Sequence, residues 1–284
     1  MPPRVITAEQ GTLEEVLRSL RPSRYTWGGW TYGAEHEWSD WPVDAKLPKG
    51  CSWNRKDHTI VNSNGIANDP TGVVYRFGGE INTPPTSTPE GQVEVMRKLY
   101  RALPMVTLNY RSNLHIHVRV PGLRGDLGAL KQLQHYTHNH LRTALAVIEP
   151  IVKPTRFDFS DGASYEGALR RWKRRKRSHQ YFLGVRQIGH QLDAPDLRAF
   201  YERHAPRRPD GSVMWHMYTR TCINLLQLLE TDTVEFRHFP GTLDGGELLT
   251  CIEWCRDYLH TAFDNRAFVG LIARYQGRGF PQFL

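Results

Sequence analysis

The chain has 284 residues, a formal net charge of +8 at pH 7 and a hydrophobic content of 39%, which is enough for one large domain or two modest ones. Its mean hydropathy is −0.54 and no apolar run reaches the roughly 18 residues of a membrane-spanning helix, so we exclude a membrane-embedded protein. The sequence pI of about 9.4 indicates an anionic partner, such as a nucleotide, a nucleic acid or an acidic metabolite, without choosing among them.

The cysteines point to a reducing compartment. Cys51, Cys222, Cys251 and Cys255 are too few and too scattered for a disulfide framework, and the chain does not begin with a secretory signal. Both observations predict a cytoplasmic protein. Cys251 and Cys255 are one helical turn apart, and we interpret them as core thiols rather than as a metal pair, because no CxxC partner exists.

Capping residues, helical periodicity and proline or glycine boundaries predict a series of helices. They cover about residues 12–20, 88–108, 126–149 and 165–179, a short helix opened by Pro195 and Asp196, residues 245–263 and a short C-terminal helix. Apolar–polar alternation predicts strands at residues 32–38, 72–82, 113–120, 221–229 and 233–239, the last two joined by a turn at Thr231 and Asp232. Residues 39–71 are polar and rich in Asn, Gly, Pro and Trp, which predicts long loops around short strands.

Strands and helices are interleaved in this series, and neighbouring strands are expected to pair antiparallel. We therefore predict the α+β class, with a mainly antiparallel sheet. Neither an internal repeat nor a low-complexity linker divides the sequence. The prediction is a single domain over residues 1–284, with a basic helical insertion at about residues 164–180.

The predicted strand Asn113–Val120 carries the clearest chemical pattern. Its apolar residues alternate with His115, His117 and Arg119, so two imidazoles and a guanidinium share the face opposite the core. Two histidines on one face of an otherwise apolar strand indicate a functional site. The alternative is a pair of core histidines with satisfied hydrogen bonds.

Carboxylates recur on other predicted strands. Glu35 and Glu37 are two residues apart, so they share a strand face and repel each other unless cations lie between them; a solvated face would hold them equally well. His36 points the other way and is interpreted as structural. Glu80 follows two glycines at a strand end, where either a phosphate can approach closely or the chain simply turns.

Glu235 and Arg237 form a Glu-x-Arg pattern on the last predicted strand. An ion pair within the sheet is the simple interpretation. The functional interpretation places a metal-binding carboxylate beside a phosphate-binding guanidinium. Arg220 and Asn224, on the preceding segment, are expected at the same rim. Side by side in one sheet, all these strands would present a face of Glu, His and Arg.

The order of these motifs is more specific than any one of them. Glu-x-Glu, Gly-Gly-Glu, His-x-His and Glu-x-Arg, the last followed by Phe239-Pro-Gly-Thr-Leu243, resemble the carboxylate–amine ligase superfamily of glutamine synthetase and glutamate–cysteine ligase. Within it, the chain resembles the amidoligase family that is often found in bacterial and phage genomes. The resemblance runs from about Tyr32 to Trp254 and rests on short motifs. It implies a glutamine synthetase-like fold, a curved antiparallel sheet flanked by helices, with ATP and two or three divalent cations, usually Mg²⁺, in its concave face.

Carried over residue by residue, the resemblance also implies a set of metal ligands. Glu37 and Glu80 would bind the metal on the substrate side. Glu35, His115 and Glu235 would bind the metal that bridges the ATP phosphates. One histidine among the ligands suits Mn²⁺ as a replacement for Mg²⁺.

The same resemblance places cations and polar groups around the transferred phosphoryl group. Arg237 and Arg220 would act on that group together with Glu80, and Asn224 would join the arginines in binding the nucleotide. His117 would lie beside the nucleotide and support a ligand. Where some relatives supply two acidic ligands this chain has only Glu80, because Glu90 and Glu94 fall on a predicted helix, so the number of metal ions stays open.

The implied reaction agrees with these residue types. A carboxylate has no leaving group that an amine can displace, so ATP converts it into an acyl phosphate, which the amine then attacks. Phosphoryl transfer needs positioning and charge neutralisation, which hard cations on carboxylates and arginines supply. The chain has no Gly-x-x-x-x-Gly-Lys-[Ser/Thr] motif, which argues against a P-loop enzyme.

The dense basic run Arg170–Arg177 has two open interpretations. It is either a solvated or oligomer-contacting surface, or a site for a polyanion such as DNA or an acidic peptide, with Trp172 available to stack on a base. The leading hypothesis is thus an ATP-dependent ligase whose carboxylate and amine substrates are small molecules or parts of a polymer. The alternatives are a kinase of a carboxyl or guanidino group with the same fold, and a basic nucleic-acid-binding or nucleic-acid-modifying protein.

Overall fold

The computed structural model describes residues 10–39, 45–54, 78–106, 108, 112–148, 185–205, 207, 209–213, 221–264, 271, 274 and 275. The predicted basic helix with Arg170–Arg177 lies outside the described residues, and so does Arg220. Of the predicted C-terminal helix, the described residues are Leu271, Arg274 and Tyr275, all of which are helical.

Within these ranges, six strands form one antiparallel sheet in the order β2-β3-β1-β4-β6-β5. They are β1 (Thr31–Ser39), β2 (Ser52–Asn54), β3 (Gly78–Asn82), β4 (Asn113–Arg119), β5 (Ile223–Asn224) and β6 (Val234–Pro240). The sheet is open. The combination of helices with an antiparallel sheet confirms the predicted α+β class. β1 and β4 are the two central strands, and β3 and β6 flank them.

The helices of the described residues connect and cover these strands. They are α1 (Gln10–Ser19), α2 (Pro89–Ala102), α3 (Leu127–Ile148), α4 (Val185–Leu192), α5 (Leu197–His204), α6 (Gln227–Glu230) and α7 (Gly245–Asp264), with a short 3-10 helix at Leu123–Gly125. α2 and α7 pack against each other, α2 also contacts β1, and α7 contacts β4 and α3. None of the described helices combines the length and the apolar character needed to cross a membrane.

The sheet has two chemically different faces because its strands alternate. On β4, Leu114, Ile116 and Val118 are completely buried on the face that α7 covers, and each such side chain contributes roughly 1.5–3 kcal/mol of burial free energy. His115 and His117 project from the opposite face and are also buried, at 4% and 8% exposure. The polar face is therefore enclosed, which makes its contacts electrostatically strong.

The helix starts predicted at Thr88, Asp126 and Asp196 agree with the structure, whereas α1 is already helical at Gln10, so Thr12 lies inside it rather than at its start. The Thr88 side chain accepts a hydrogen bond from Gly91 N and Pro89 is the first residue of α2. Asp126 and Asp196 accept from the backbone amides three residues further on, at 2.9 Å and 2.7 Å. Such side-chain acceptors satisfy amides that the first helical turn leaves without a partner.

Two predicted boundaries are wrong. α2 ends at Ala102 and not at residue 108, because Pro104 disfavours helical geometry at Leu103 before it. The predicted strand at residues 221–229 is reduced to the two residues of β5, followed by α6. The Asn224 side chain accepts a hydrogen bond from Leu226 N, and this local bond bends the chain out of the sheet.

Candidate metal centre

The strand register brings the predicted acidic and histidine residues to one face of the sheet. Side chains at paired positions of neighbouring antiparallel strands point to the same side. The pairs on the polar face are Glu35–His115, Glu37–Glu80 and His117–Glu235. We call these six residues the carboxylate–histidine cluster; it spans the four adjacent strands β3, β1, β4 and β6.

Two sets of side chains within the cluster have ligand atoms close enough to hold a metal ion. Glu35, Glu80 and His115 form one set, and Glu35, His117 and Glu235 form the other, with the ligand atoms of each set within 4.8 Å of one another. Glu35 belongs to both sets, so the two sites adjoin and its carboxylate is placed to bridge them. Carboxylates with one imidazole per set suit Mg²⁺ or Mn²⁺.

His117 is oriented toward the centre of the cluster by its neighbours on the β6 side. Its Nδ1 lies 2.9 Å from Thr233 Oγ1, and that hydroxyl lies 2.7 Å from Thr231 Oγ1. Its Nε2 is buried without an aligned hydrogen-bond partner, 3.0 Å from Glu35 Oε1. A buried nitrogen held in this way is the kind of ligand that a metal ion satisfies.

The charges in the cluster alter its proton affinities. Burial on its own lowers the pKa of His117, but Glu35, Glu235 and Glu80 raise that pKa to about 9. Burial raises the pKa of Glu35, but the facing imidazoles of His117 and His115 outweigh it and hold that pKa well below its usual value. The carboxylates still outnumber the cationic groups around them, and a divalent cation would offset this excess of negative charge.

Glu235 is fixed from two sides. Asn224 Nδ2 donates to its Oε2 at 2.7 Å, and Arg237 donates to its Oε1. Burial lowers the pKa of Arg237, but Glu235, Glu35 and Glu37 raise it by more, so the guanidinium stays charged. Arg237 keeps about a fifth of its side-chain surface exposed, at the boundary between the cluster and solvent.

Glu37 has different surroundings from those expected of a metal ligand. Its Oε2 accepts hydrogen bonds from Asn113 N at 2.8 Å and from Asn113 Nδ2, and its Oε1 is 3.8 Å from His115 Nε2. It belongs to neither of the two ligand sets, whereas His117 belongs to one. In this geometry Asn113 holds Glu37, His115 makes its short contact with Glu35 at 2.9 Å, and the grouping of ligands differs from the one that the resemblance implies.

His36 points away from the cluster, as predicted from strand alternation. It is 1% exposed and its ring lies 4.9 Å from that of Trp38. Burial lowers its pKa to about 4, so it is neutral at physiological pH. These surroundings agree with a structural role.

The other residues considered from the sequence fall outside the cluster. Glu90 and Glu94 are exposed on α2 and belong to neither ligand set. Cys251 and Cys255 are free, buried thiols on α7, and burial raises the pKa of each, which agrees with their interpretation as core residues.

Two residues near the cluster were not anticipated from the sequence. Thr233 orients His117, as described above, and Glu230 ends α6 beside the cluster. Burial, together with the charges of Glu235 and Glu35, raises the pKa of Glu230 to about 7. The signal available in the sequence was position alone, because both residues flank the turn that leads into β6.

No protein-family model, curated protein or solved structure matches the chain. The functional assignment therefore depends on the geometry of the carboxylate–histidine cluster and on the order of the motifs that build it.

Proposed function

We propose that this protein is an ATP-dependent carboxylate–amine ligase with a glutamine synthetase-like fold, which forms an amide bond through an acyl phosphate. The observation that carries the proposal is the position of Glu35, shared by two adjoining ligand sets on the polar face of an antiparallel sheet. Adjoining cations are what the triphosphate of a bound nucleotide requires, since several negative charges must be neutralised together.

The residues present fit divalent cations. Glu35, Glu80 and His115 would hold one ion, and Glu35, His117 and Glu235 would hold the other. When bound, the ions neutralise the phosphate oxygens and polarise the transferred phosphoryl group.

The side chains around these ligands have positioning roles. Asn224 fixes the carboxylate of Glu235, and Thr233 holds His117 so that its Nε2 faces Glu35. Arg237, anchored on Glu235 at the edge of the cluster, would orient the phosphoryl group and stabilise its charge during transfer to the substrate carboxylate. Arg220, expected from the sequence at the same rim, would be a second phosphate-binding cation.

The experiment that tests the proposal combines nucleotide turnover with trapping of the intermediate. The purified protein is incubated with ATP and Mg²⁺ and a panel of carboxylic acids and amines, and hydroxylamine replaces the amine in a parallel series. We expect ADP release only when an acid and an amine are both present, and a hydroxamate in the hydroxylamine series. Glu35→Gln and Glu235→Gln should lose turnover, while the surface variant Glu94→Gln, on α2 beside Arg97, should keep it.

The same assay separates the competing functions. Full activity in both cluster variants would exclude this site as the centre of catalysis. A stable phosphorylated product without amide would identify a kinase of a carboxyl or guanidino substrate instead.

A further inference from the structure

A second distinctive surface lies in the connection between α1 and β1, residues 21–29, which we call the aromatic loop. Most of its residues are exposed. Trp27 keeps 42% of its surface exposed and, with Met105, is one of the two large hydrophobic side chains in the described part of the chain that are open to solvent. An exposed tryptophan in a fixed position is unusual, because its large apolar rings are normally buried.

Trp27 is held by a stack of rings. Its ring is nearly parallel to that of His260 on α7, with centroids 4.8 Å apart and an interplanar angle of 9°. The buried Trp30 stacks on both rings, with its centroid 4.4 Å from that of His260 and 5.9 Å from that of Trp27, and Trp30 Nε1 donates to Thr26 O at 2.7 Å. One side of the Trp27 ring is thus supported by protein while part of the ring stays open to solvent.

The backbone of the aromatic loop is pinned as well. Ser23 N donates to Gly125 O and Thr26 N donates to Pro121 O, both at 2.9 Å, and Ser23 Oγ donates to Gly122 O at 2.8 Å. Gly122 has a φ of +84°, and a Cβ there would lie 2.0 Å from the loop's own backbone. The aromatic loop therefore needs little ordering when it binds a partner, which lowers the entropic cost of binding.

The charge around the aromatic loop is basic. Arg18, Arg21 and Arg24 are exposed on it or just before it, in a chain with a formal net charge of +8. Two carboxylates lie nearby: Asp126 is engaged by backbone amides, including that of Tyr25 at 3.4 Å, and Asp264 is exposed next to Phe263, whose ring contacts Trp27. The three arginines outnumber these two carboxylates. Arginines beside an exposed, supported aromatic ring match a ligand that presents both negative charge and flat rings.

We propose that the aromatic loop binds single-stranded nucleic acid, with one base stacked on Trp27 and adjacent phosphates near Arg21 and Arg24. A base exposes its flat face only when it is unpaired, so a duplex would not use this ring. A protein partner would require a wider apolar centre than one tryptophan provides, and a lipid surface would require several inserting apolar side chains. This proposal is independent of the proposed ligase activity, because it uses different residues.

The test measures fluorescence anisotropy of labelled oligonucleotides of about 12 nucleotides, in parallel as oligo-dT, oligo-U and an abasic strand of equal length, without ATP or divalent metal. Trp27→Leu retains an apolar contact with His260 but removes the aromatic face, and Trp27→Phe retains an aromatic ring. We expect Trp27→Leu to weaken oligo-dT or oligo-U binding on the order of tenfold and to leave abasic binding unchanged, with Trp27→Phe close to wild type. The comparison of dT with U tells whether DNA or RNA is preferred.

Other variants test the contribution of arginine charge and the location of the binding surface. Arg24→Gln should weaken binding to all three strands and reduce the slope of log Kd against log salt by about 0.7. Met105→Ala, which alters the other exposed hydrophobic side chain, should bind as wild type does, and so should Glu35→Gln, which separates this surface from the ligase site. Any one of three results would overturn the proposal. They are equal binding by the Trp27→Leu and Trp27→Phe variants, equal wild-type affinity for abasic and base-containing strands, and Trp27-dependent binding to anionic vesicles alone.

Discussion

Glu35→Gln is the substitution that tests the shared ligand most directly. Glu35 lies 2.9 Å from His115 Nδ1 and 3.0 Å from His117 Nε2, and it belongs to both ligand sets. Glutamine preserves the shape of the side chain and removes its charge, so the folded backbone should be retained while both sites lose a carboxylate.

Glu35→Gln should change the free energy of unfolding in the absence of metal, and it should also remove the extra stability that bound metal provides. Removing one partner of a buried ion pair costs about 3–5 kcal/mol. The partial exposure of Glu35 and relief of its repulsion with Glu80 and Glu235 reduce this cost, so we expect a loss of about 2 kcal/mol and a fall in Tm of roughly 5 °C. Metal at a hundredfold excess over Kd stabilises the wild type by about 2.7 kcal/mol per site, and this gain should disappear in the variant.

The assay is Mn²⁺ binding by calorimetry or electron paramagnetic resonance, together with thermal unfolding with and without Mn²⁺. We expect two ions in the wild type, one in Glu80→Gln, one in Glu235→Gln and none bound tightly in Glu35→Gln, as the two ligand sets require. Glu94→Gln should match the wild type. Two ions bound to Glu35→Gln with unchanged affinity would refute the bridging role.

Three further predictions concern stability. Gly122→Ala should lower the free energy of unfolding by about 3 kcal/mol or more, because the new Cβ would lie 2.0 Å from Arg24 O. Gly211 has the same φ of +84° but nothing within 4 Å of the added Cβ, so Gly211→Ala should cost only about 1–2 kcal/mol. Equal losses for the two variants in urea unfolding would contradict the steric explanation. Burial lowers the pKa of His204 from 6.5 to about 4, so protonation favours the unfolded chain, and the stability that this group contributes is complete above pH 6.5 and lost as the pH falls toward 4. We expect this group to contribute about 2 kcal/mol, after allowance for partial exposure. The free energy of unfolding in urea should therefore differ less between about pH 7.5 and about pH 4.5 in His204→Gln than in the wild type. Thr88→Ala, which removes the cap of α2, should cost about 1 kcal/mol by the same measurement, and a loss below about 0.3 kcal/mol would show that water replaces the cap.

Strand alternation was sufficient to predict which side chains share the polar face. Glu35, His115, His117 and Glu235 fall at alternate positions of their strands, and a period of two needs no knowledge of the partner strand. The same reasoning placed His36 on the opposite face, in the core.

The grouping of these side chains depends on information that a single strand does not contain. Which residue faces which is set by register, and β4 and β6 change register between Leu114 and Ile116. The two hydrogen bonds from Asn113 to Glu37 are likewise a consequence of pairing between distant segments. By contrast, the early end of α2 is encoded locally, because Pro104 disfavours helical geometry at Leu103.

The short outer strands of the described sheet have a consequence for how the protein behaves at high concentration. β2 and β5 contribute three and two residues, so each edge offers few N–H and C=O groups to a strand from another molecule. Long exposed edges are templates for fibrils and strand exchange. Within the described residues, the capacity for strand pairing therefore lies mainly in the interior strands, and little of it lies at the edges, where aggregation begins.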